Sequence, residues 1–447
     1  MSLVQDSFSK MPNMAEVKRS DIITIPHLQS QTTALDNDGA PQIVGRVAQM
    51  KVRLSKSSVS LNVKVNSGTT AERAHAVPAA DILKMFSKAE LIVGDETVEI
   101  NNRPGDGRIV QKLTNESRDN LDVMGLSSGT IYNLRPRDSL VADSTWSTDD
   151  DETKNISYAR RARQHHNGTT DSRYVAYEVP LSDIFGFAAV DKLLFGVDVT
   201  VRLTRNNTPT ELIMRDSSST VTDYTLTLYD MALNINAIEL LPEAAMRFDQ
   251  MITSGASVNE KYSSYNAYVD DSLGQQTSPT LNFSNDSRKA LNVYLLRQPL
   301  TARTSYNVDS CIYPNMGLTE ASLLVNNNTY PVTPVKCDFG ANSTSVDIRG
   351  SRRLYRELVG AADDSFEGHG CLSYEDFVDR YNIIRFNLEE AGEEVFWGSD
   401  SLNAYQLKFT HAPSEDFRAI VVVEFENEFQ LMADGTSGRM VVKSIKK

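Results

Sequence analysis

Residues Ser58-Val-Ser-Leu-Asn-Val-Lys-Val-Asn66 read as a strand with one dry face and one wet face. Val59, Leu61, Val63 and Val65 fall on one side, and Ser58, Ser60, Asn62 and Lys64 on the other. A period of two marks a half-buried β-strand. The phrase returns in the second half of the chain, where Leu61-Asn62-Val63-Lys64-Val65 lines up with Leu291-Asn292-Val293-Tyr294-Leu295. Lys88–Ile100 (KAELIVGDETVEI) lines up with Glu320–Val332 (EASLLVNNNTYPV), each an apolar strand, a polar turn, a Thr and a second strand. Ala176–Val179 pairs with Ala404–Leu407, and Val199–Leu203 with Val421–Phe425. Matches in one order at nearly constant offset predict a β-domain of about 200 residues used twice. A unit of that size is too long for a solenoid repeat or a propeller blade, which leaves a duplicated β-sandwich.

Composition agrees. The chain has 447 residues, 40% of them hydrophobic, and a formal charge of −14. That is enough apolar material for substantial cores and excludes wholesale disorder. A sequence pI near 5.0 argues against a nucleic-acid coat. Three cysteines (Cys311, Cys337, Cys371) exclude a disulfide-stapled scaffold and a four-cysteine zinc site. No signal peptide or membrane span is expected, since the most apolar short stretch is Ala419–Val423. The Asn-x-Ser/Thr sequons follow from a chain rich in those residues.

Outside the repeats the expectations are these. Residues 1–40 form an N-terminal arm, 41–240 the first β-domain, 241–432 the second, and 433–447 a C-terminal tail. Residues 101–173 are a long loop insertion in the first domain with a few short strands such as Thr130–Leu134. Further strands are predicted at Tyr174–Val179, Leu193–Thr204, Tyr224–Glu239, Ala256–Val269, Ala290–Leu296, Ala321–Val332, Ile383–Leu388, Ala404–Thr410 and Ala419–Phe425. Short helices are predicted near Pro78–Phe86, after Ser182, over Leu240–Met251, over Arg353–Ala361, and after Ser373. Ser182 and Ser373 are the expected caps.

The segment Val179-Pro-Leu-Ser-Asp-Ile-Phe-Gly-Phe187, followed by Asp191-Lys-Leu-Leu-Phe-Gly196 and Val199–Arg205 (VTVRLTR), resembles the double jelly-roll major capsid proteins. The likeness is to those of Maverick/Polinton elements, adintoviruses and related small eukaryotic DNA viruses, in the adenovirus-hexon-like lineage. Met85–Val93 and Leu323–Pro331 (LLVNNNTYP) carry it in the two halves, and it covers roughly residues 55–430. The Pro-Tyr-Arg-Ala-Tyr segment usual in that family after the first turn is absent, since Asn101–Arg108 reads NNRPGDGR. The resemblance implies an all-β fold of two tandem eight-stranded jelly rolls and a homotrimeric pseudo-hexagonal capsomer. Such capsomers tile an icosahedral shell around double-stranded DNA, alongside penton and minor or cement proteins. It implies residence in the virion, assembly in the host nucleus or cytoplasm, and no sequence-specific nucleic-acid binding. The basic termini (Lys10, Lys18, Arg19; Lys443, Lys446, Lys447) are expected to face the shell interior, with contact to genome, internal membrane or a neighbouring tile. The insertion 101–173 is expected to build the outer tower and trimer contacts.

No catalytic, cofactor or metal residue is predicted, and no cofactor. His165-His166 beside Arg160, Arg161 and Arg163 reads as a solvated basic loop, because adjacent strand residues face opposite ways. Asp149–Glu152 lacks calcium-loop spacing. Cys337, Cys371 and His369 lack zinc spacing. Glu389-Glu390 and Glu393-Glu394 read as solvated turns, and Asp271–Gly274 as a turn. No nucleophile elbow or phosphate loop occurs. The competing functions are a carbohydrate-binding or glycoside-cleaving β-sandwich, a viral spike, and a capsid-derived gene in a host genome. The first would want an aromatic groove, yet Trp146 and Trp397 are the only tryptophans.

Overall fold

The computed structural model describes residues 17–26, 42–134, 156–339, 349–360, 371–389, 403–434 and 439–445, apart from 169, 217–218, 255–256, 287 and 327. The first half holds strands β1 (Val17–Pro26), β2 (Gln42–Asn66), β3 (Ala76–Pro78), β4 (Phe86–Val93), β5 (Glu96–Asn102), β6 (His166–Asn167), β7 (Asp171–Ser172), β8 (Val175–Pro180), β9 (Leu193–Arg205), β10 (Ile213–Arg215) and β11 (Thr225–Leu240). The second half holds β12 (Ser257–Asp270), β13 (Thr280–Asp286), β14 (Lys289–Pro299), β15 (Glu320–Val325), β16 (Asn328–Lys336), β17 (Ile384–Asn387), β18 (Asn403–Thr410), β19 (Phe417–Asp434) and β20 (Arg439–Ile445). Every ladder between them is antiparallel.

The second half packs two sheets, in the orders β12-β19-β14-β17 and β13-β18-β15-β16. The first half repeats both orders. β1-β11-β2, with β8 on the far side of β2, matches the first sheet, and β2-β9-β4-β5 matches the second. The difference lies in one strand. β2 runs unbroken through both sheets, its Gln42–Arg53 part on β9 and its Ser58–Val63 part on β8. In the second half β13 and β14 divide those two tasks.

This topology sorts the sequence repeats. Leu61–Val65 and Leu291–Leu295 lie on the equivalent strands β2 and β14. The hairpins β4–β5 and β15–β16 are also equivalent, turning at Gly94 and Asn326 with φ of +64° and +50°. The other two matches are off by one strand. Ala176–Val179 is on β8, whose counterpart is β17 and not β18, and Val199–Leu203 is on β9, whose counterpart is β18 and not β19. Neighbouring antiparallel strands share the same Val-rich alternation, so the pattern alone does not distinguish them.

The termini and the insertion also differ from expectation. Val17–Pro26 lies inside the expected arm, yet it is the edge strand of the first roll, in register with β11 from Val17↔Leu240 to Pro26↔Ala232. Arg439–Ile445, inside the expected tail, pairs with β19, and Val442 joins the first roll's core. Lys10, Lys446 and Lys447 lie outside the described residues. The described part of the insertion is largely helical, with α1 (Pro104–Asn115), α2 (Arg118–Ser128) and α3 (Ile156–His165), and Thr130 makes an isolated bridge to Asp81. Its buried residues Ile109, Val110, Leu113, Leu121 and Tyr132 belong to the core built by the second roll. Ser117 caps α2 by accepting from Asn120 N, and Gly129 ends it with φ +70°.

The remaining helices are α4 (Gly186–Ala189), α5 (Pro209–Leu212), α6 (Pro242–Thr253), α7 (Thr301–Thr304), α8 (Arg349–Val359) and α9 (Tyr374–Asp379). Ser373 caps α9, accepting from Asp376 N at 3.0 Å. Ser182 caps nothing. It sits within a 3-10 turn, Leu181–Asp183, and α4 starts from Phe185 without a side-chain cap.

Candidate functional site: the seam between the rolls and an outer apolar face

Two buried carboxylates lie where the rolls meet. α1 begins at Pro104, and Asp106 in its first turn is fully buried. Lys84 Nζ donates to Asp106 Oδ1 and lies 3.1 Å from the Tyr313 hydroxyl, which donates to the same oxygen at 2.9 Å. Arg103 Nε donates to Asp106 Oδ2 at 2.6 Å. Glu211 on α5 accepts from Asn206 at 3.0 Å, from Arg103 at 3.3 Å, and from Arg418 of β19. First-half residues thus meet Tyr313 and Arg418 of the second half through charge-assisted bonds. Burial alone would raise both carboxyls. The charges of Lys84 and Arg103 instead hold Asp106 well below the ordinary range, and Arg103, Arg418 and Lys84 hold Glu211 at about 2.

The other end of the seam has no such pairing. Glu99 on β5 accepts from Asn101 at 2.8 Å, Gly186 N at 3.0 Å and Phe187 N at 2.9 Å. Burial raises its carboxyl to about 7, because these three dipoles and the charge of Arg288 offset only part of the desolvation. Here the rolls touch through Tyr262 of β12, whose hydroxyl donates to Val98 O at 2.6 Å. A Cβ on Gly186 would fall 1.6 Å from Ser263 O, so the Phe-Gly-Phe of the quoted motif is needed for backbone contact with β12. A cleft of about 340 Å³ opens beside it, lined by Glu99, Arg108, Asp183, Tyr265 and Glu424 among others.

The insertion closes the seam. Arg161 on α3 is buried and pairs with Asp309 of the second half at 3.0 Å, and the Tyr381 hydroxyl accepts from Asn133 N–H at 2.7 Å. On the outside, α2 leaves Val123 73%, Met124 57% and Leu126 43% exposed. Leu126 also lines a 260 Å³ hollow, together with Leu121, Ile131, Tyr132 and Arg160.

The groups weighed from sequence are scattered. His165 is buried at the end of α3, with Nε2 2.6 Å from the Tyr177 hydroxyl, and burial reinforced by Arg161 lowers it to about 3. The Arg160–His166 stretch is therefore not a solvated loop: its helix turns Arg161 and His165 inward, while Arg160 stays half-exposed on Asp122. Cys311, Cys337 and Cys371 are buried free thiols. Asp271 faces Arg303 and Arg418. Asp149–Glu152, His369, Trp146, Trp397 and Glu390 onward to Glu394 lie outside the described residues. Among the described residues no group of three or more His, Cys, Asp or Glu gathers to hold a metal. The seam residues were missed in the sequence, although Lys84 and Arg418 leave a trace as charges within apolar runs, Ile82-Leu-Lys84-Met-Phe86 and Phe417-Arg418-Ala-Ile-Val421.

Against solved structures the architecture is familiar. The chain superposes on a chain of the Sputnik virophage cryo-EM structure with a TM-score of 0.60 at 10% identity, covering 97% of this chain and 90% of that one. The mavirus major capsid protein gives 0.53 at 11%, covering 97% and 93%. The PBCV-1 VP54 protein gives 0.52 at 11%, covering 97% and 99%. The fold is a double jelly roll. No family model and no curated protein matches the sequence. Identities near one in ten leave the double jelly roll as the shared property, with surface chemistry free to diverge.

Proposed function

We propose that this double jelly roll is a major capsid protein, a structural component of a virion and not an enzyme. One observation carries the reading: a single chain builds both rolls and fuses them through a buried seam, and it spans nearly the full length of the capsid proteins it superposes on. A seam of buried ion pairs fixes the rolls relative to one another, which a flat tile requires. Three copies would place six barrels in a pseudo-hexagonal ring, and such capsomers would cover an icosahedral shell around double-stranded DNA. Neighbouring capsomers, penton and minor or cement proteins are its expected partners. The net charge of −14 disfavours indiscriminate adhesion to the genome. The Maverick/Polinton and adintovirus likeness over residues 55–430 makes that lineage the proposed origin.

Within this reading the trimer contact moves. α1 is buried between the rolls and is unavailable for a tower, whereas the apolar outer side of α2 has the character of a subunit contact. The test is the native mass of the purified chain, followed by imaging. A trimer of 49.7 kDa subunits that packs into pseudo-hexagonal tiles supports the proposal. A stable monomer that binds glycans overturns it in favour of a carbohydrate-active sandwich.

A further inference from the structure

Inside the second roll lies a charge that no described residue neutralises. Arg297 on β14 is 0% exposed. It continues the inward series Val293 and Leu295 at period two, so its side chain enters the interior of the roll. Nη2 donates to Asn382 Oδ1 at 2.6 Å. Nε and Nη1 have no partner. Phe409 lies under the guanidinium, 5.8 Å from ring centre to Cζ, and the His411 ring packs on Phe409 and Phe417 at 5.1 and 4.2 Å. His411 Nε2 bonds the Gln276 carbonyl at 2.9 Å, which leaves Nδ1 unpartnered in the same interior. The titratable groups that sense Arg297 are Cys337 and His411, both neutral at pH 7 because burial raises the thiol to about 12 and lowers the imidazole to about 4.

Burial without a facing carboxylate lowers the guanidinium to about 9, still above neutrality, so the group keeps its charge in the cell. An isolated buried charge is among the most costly features a core can hold. A water would satisfy the free N–H groups but leave the charge. A multivalent anion would carry more charge than one arginine offsets. We propose that the second roll encloses one small monovalent anion of the size and softness of chloride, bound by the free Nε–H and Nη1–H of Arg297.

The test is thermal unfolding of the full chain in sodium chloride and in sodium gluconate at equal ionic strength. A Tm higher by several degrees in chloride, matched by bromide and lost in Arg297→Met, is the expected result. Equal melting in both salts, or an unchanged chloride increment in Arg297→Met, overturns the site and leaves a buried water as the occupant. If that variant does not fold, wild-type crystals soaked in bromide decide the matter. An anomalous peak within hydrogen-bonding reach of Arg297 supports the site, and its absence overturns it.

Discussion

The two ends of the seam bury carboxylates in opposite ways. Asp106 and Glu211 are surrounded by Lys84, Arg103 and Arg418 and stay ionised. Glu99 is held by three amide N–H groups, with the charge of Arg288 the smallest influence on it, and binds its proton near neutrality. Burial raises all three, so the outcome turns on how much cationic charge and hydrogen bonding stand against it. One end of the joint is therefore indifferent to pH across the biological range, and the other is not.

The comparison is broken most severely by Glu211→Ala. It leaves the buried Arg418 with only the more distant Asp271, 3.7 Å away, and should cost about 3 kcal/mol, at the low end for a broken buried pair. Chemical denaturation should show that loss equally at pH 5 and pH 8. Next comes Gly186→Ala at the Glu99 end. Its Cβ would collide with the Ser263 carbonyl, and overpacking of this kind costs about 3 kcal/mol at the top of its usual range. Because the clash pushes β12 away and admits water, the Glu99 carboxyl should return toward its ordinary value, read by carboxyl NMR titration. A lowered Tm with an unmoved Glu99 would separate the clash from the seam.

Glu99 itself gives the third prediction. It holds its proton more tightly in the folded chain than in the unfolded one. Its contribution is complete below pH 4.5 and is lost as pH rises to about 7, a span worth about 3 kcal/mol. Glu99→Gln should flatten that part of the stability profile, and Glu211→Ala should not. The smallest expected change in stability, within about 0.5 kcal/mol, belongs to Met124→Asp on the outer side of α2. The proposed trimer should nevertheless dissociate on sizing, and an intact trimer would remove α2 from the contact.

How much of this was open to reading follows from what each element uses. Strands such as Ser58–Asn66 and the two Thr-bearing hairpins were legible, because alternation and a turn are local signals. Ser373 was legible as a cap for the same reason. β1 was not, since Val17–Pro26 carries three charged residues and only edge pairing makes it a strand. α1 was hidden by its own glycines. Pro104-Gly105-Asp106-Gly107 reads as a turn, yet Gly105 and Gly107 lie against Lys84 and Tyr265 so closely that no side chain fits. The seam was least legible of all. Lys84 and Asp106 are 22 residues apart, but Arg418 and Glu211 are 207 apart, and a lone charge in an apolar run does not name a partner at that distance.

The helices of the insertion are encoded in the first half of the chain and covered by the second. Ile109, Val110, Leu113 and Leu121 wait for strands that follow residue 257, and Phe429, Leu431 and Val442 return at the far end to finish the first core. A ribosome that has delivered only residues 1–240 has made an unfinished surface, not half a protein. The repeated topology thus comes with mutual dependence: either roll taken alone leaves part of a core uncovered.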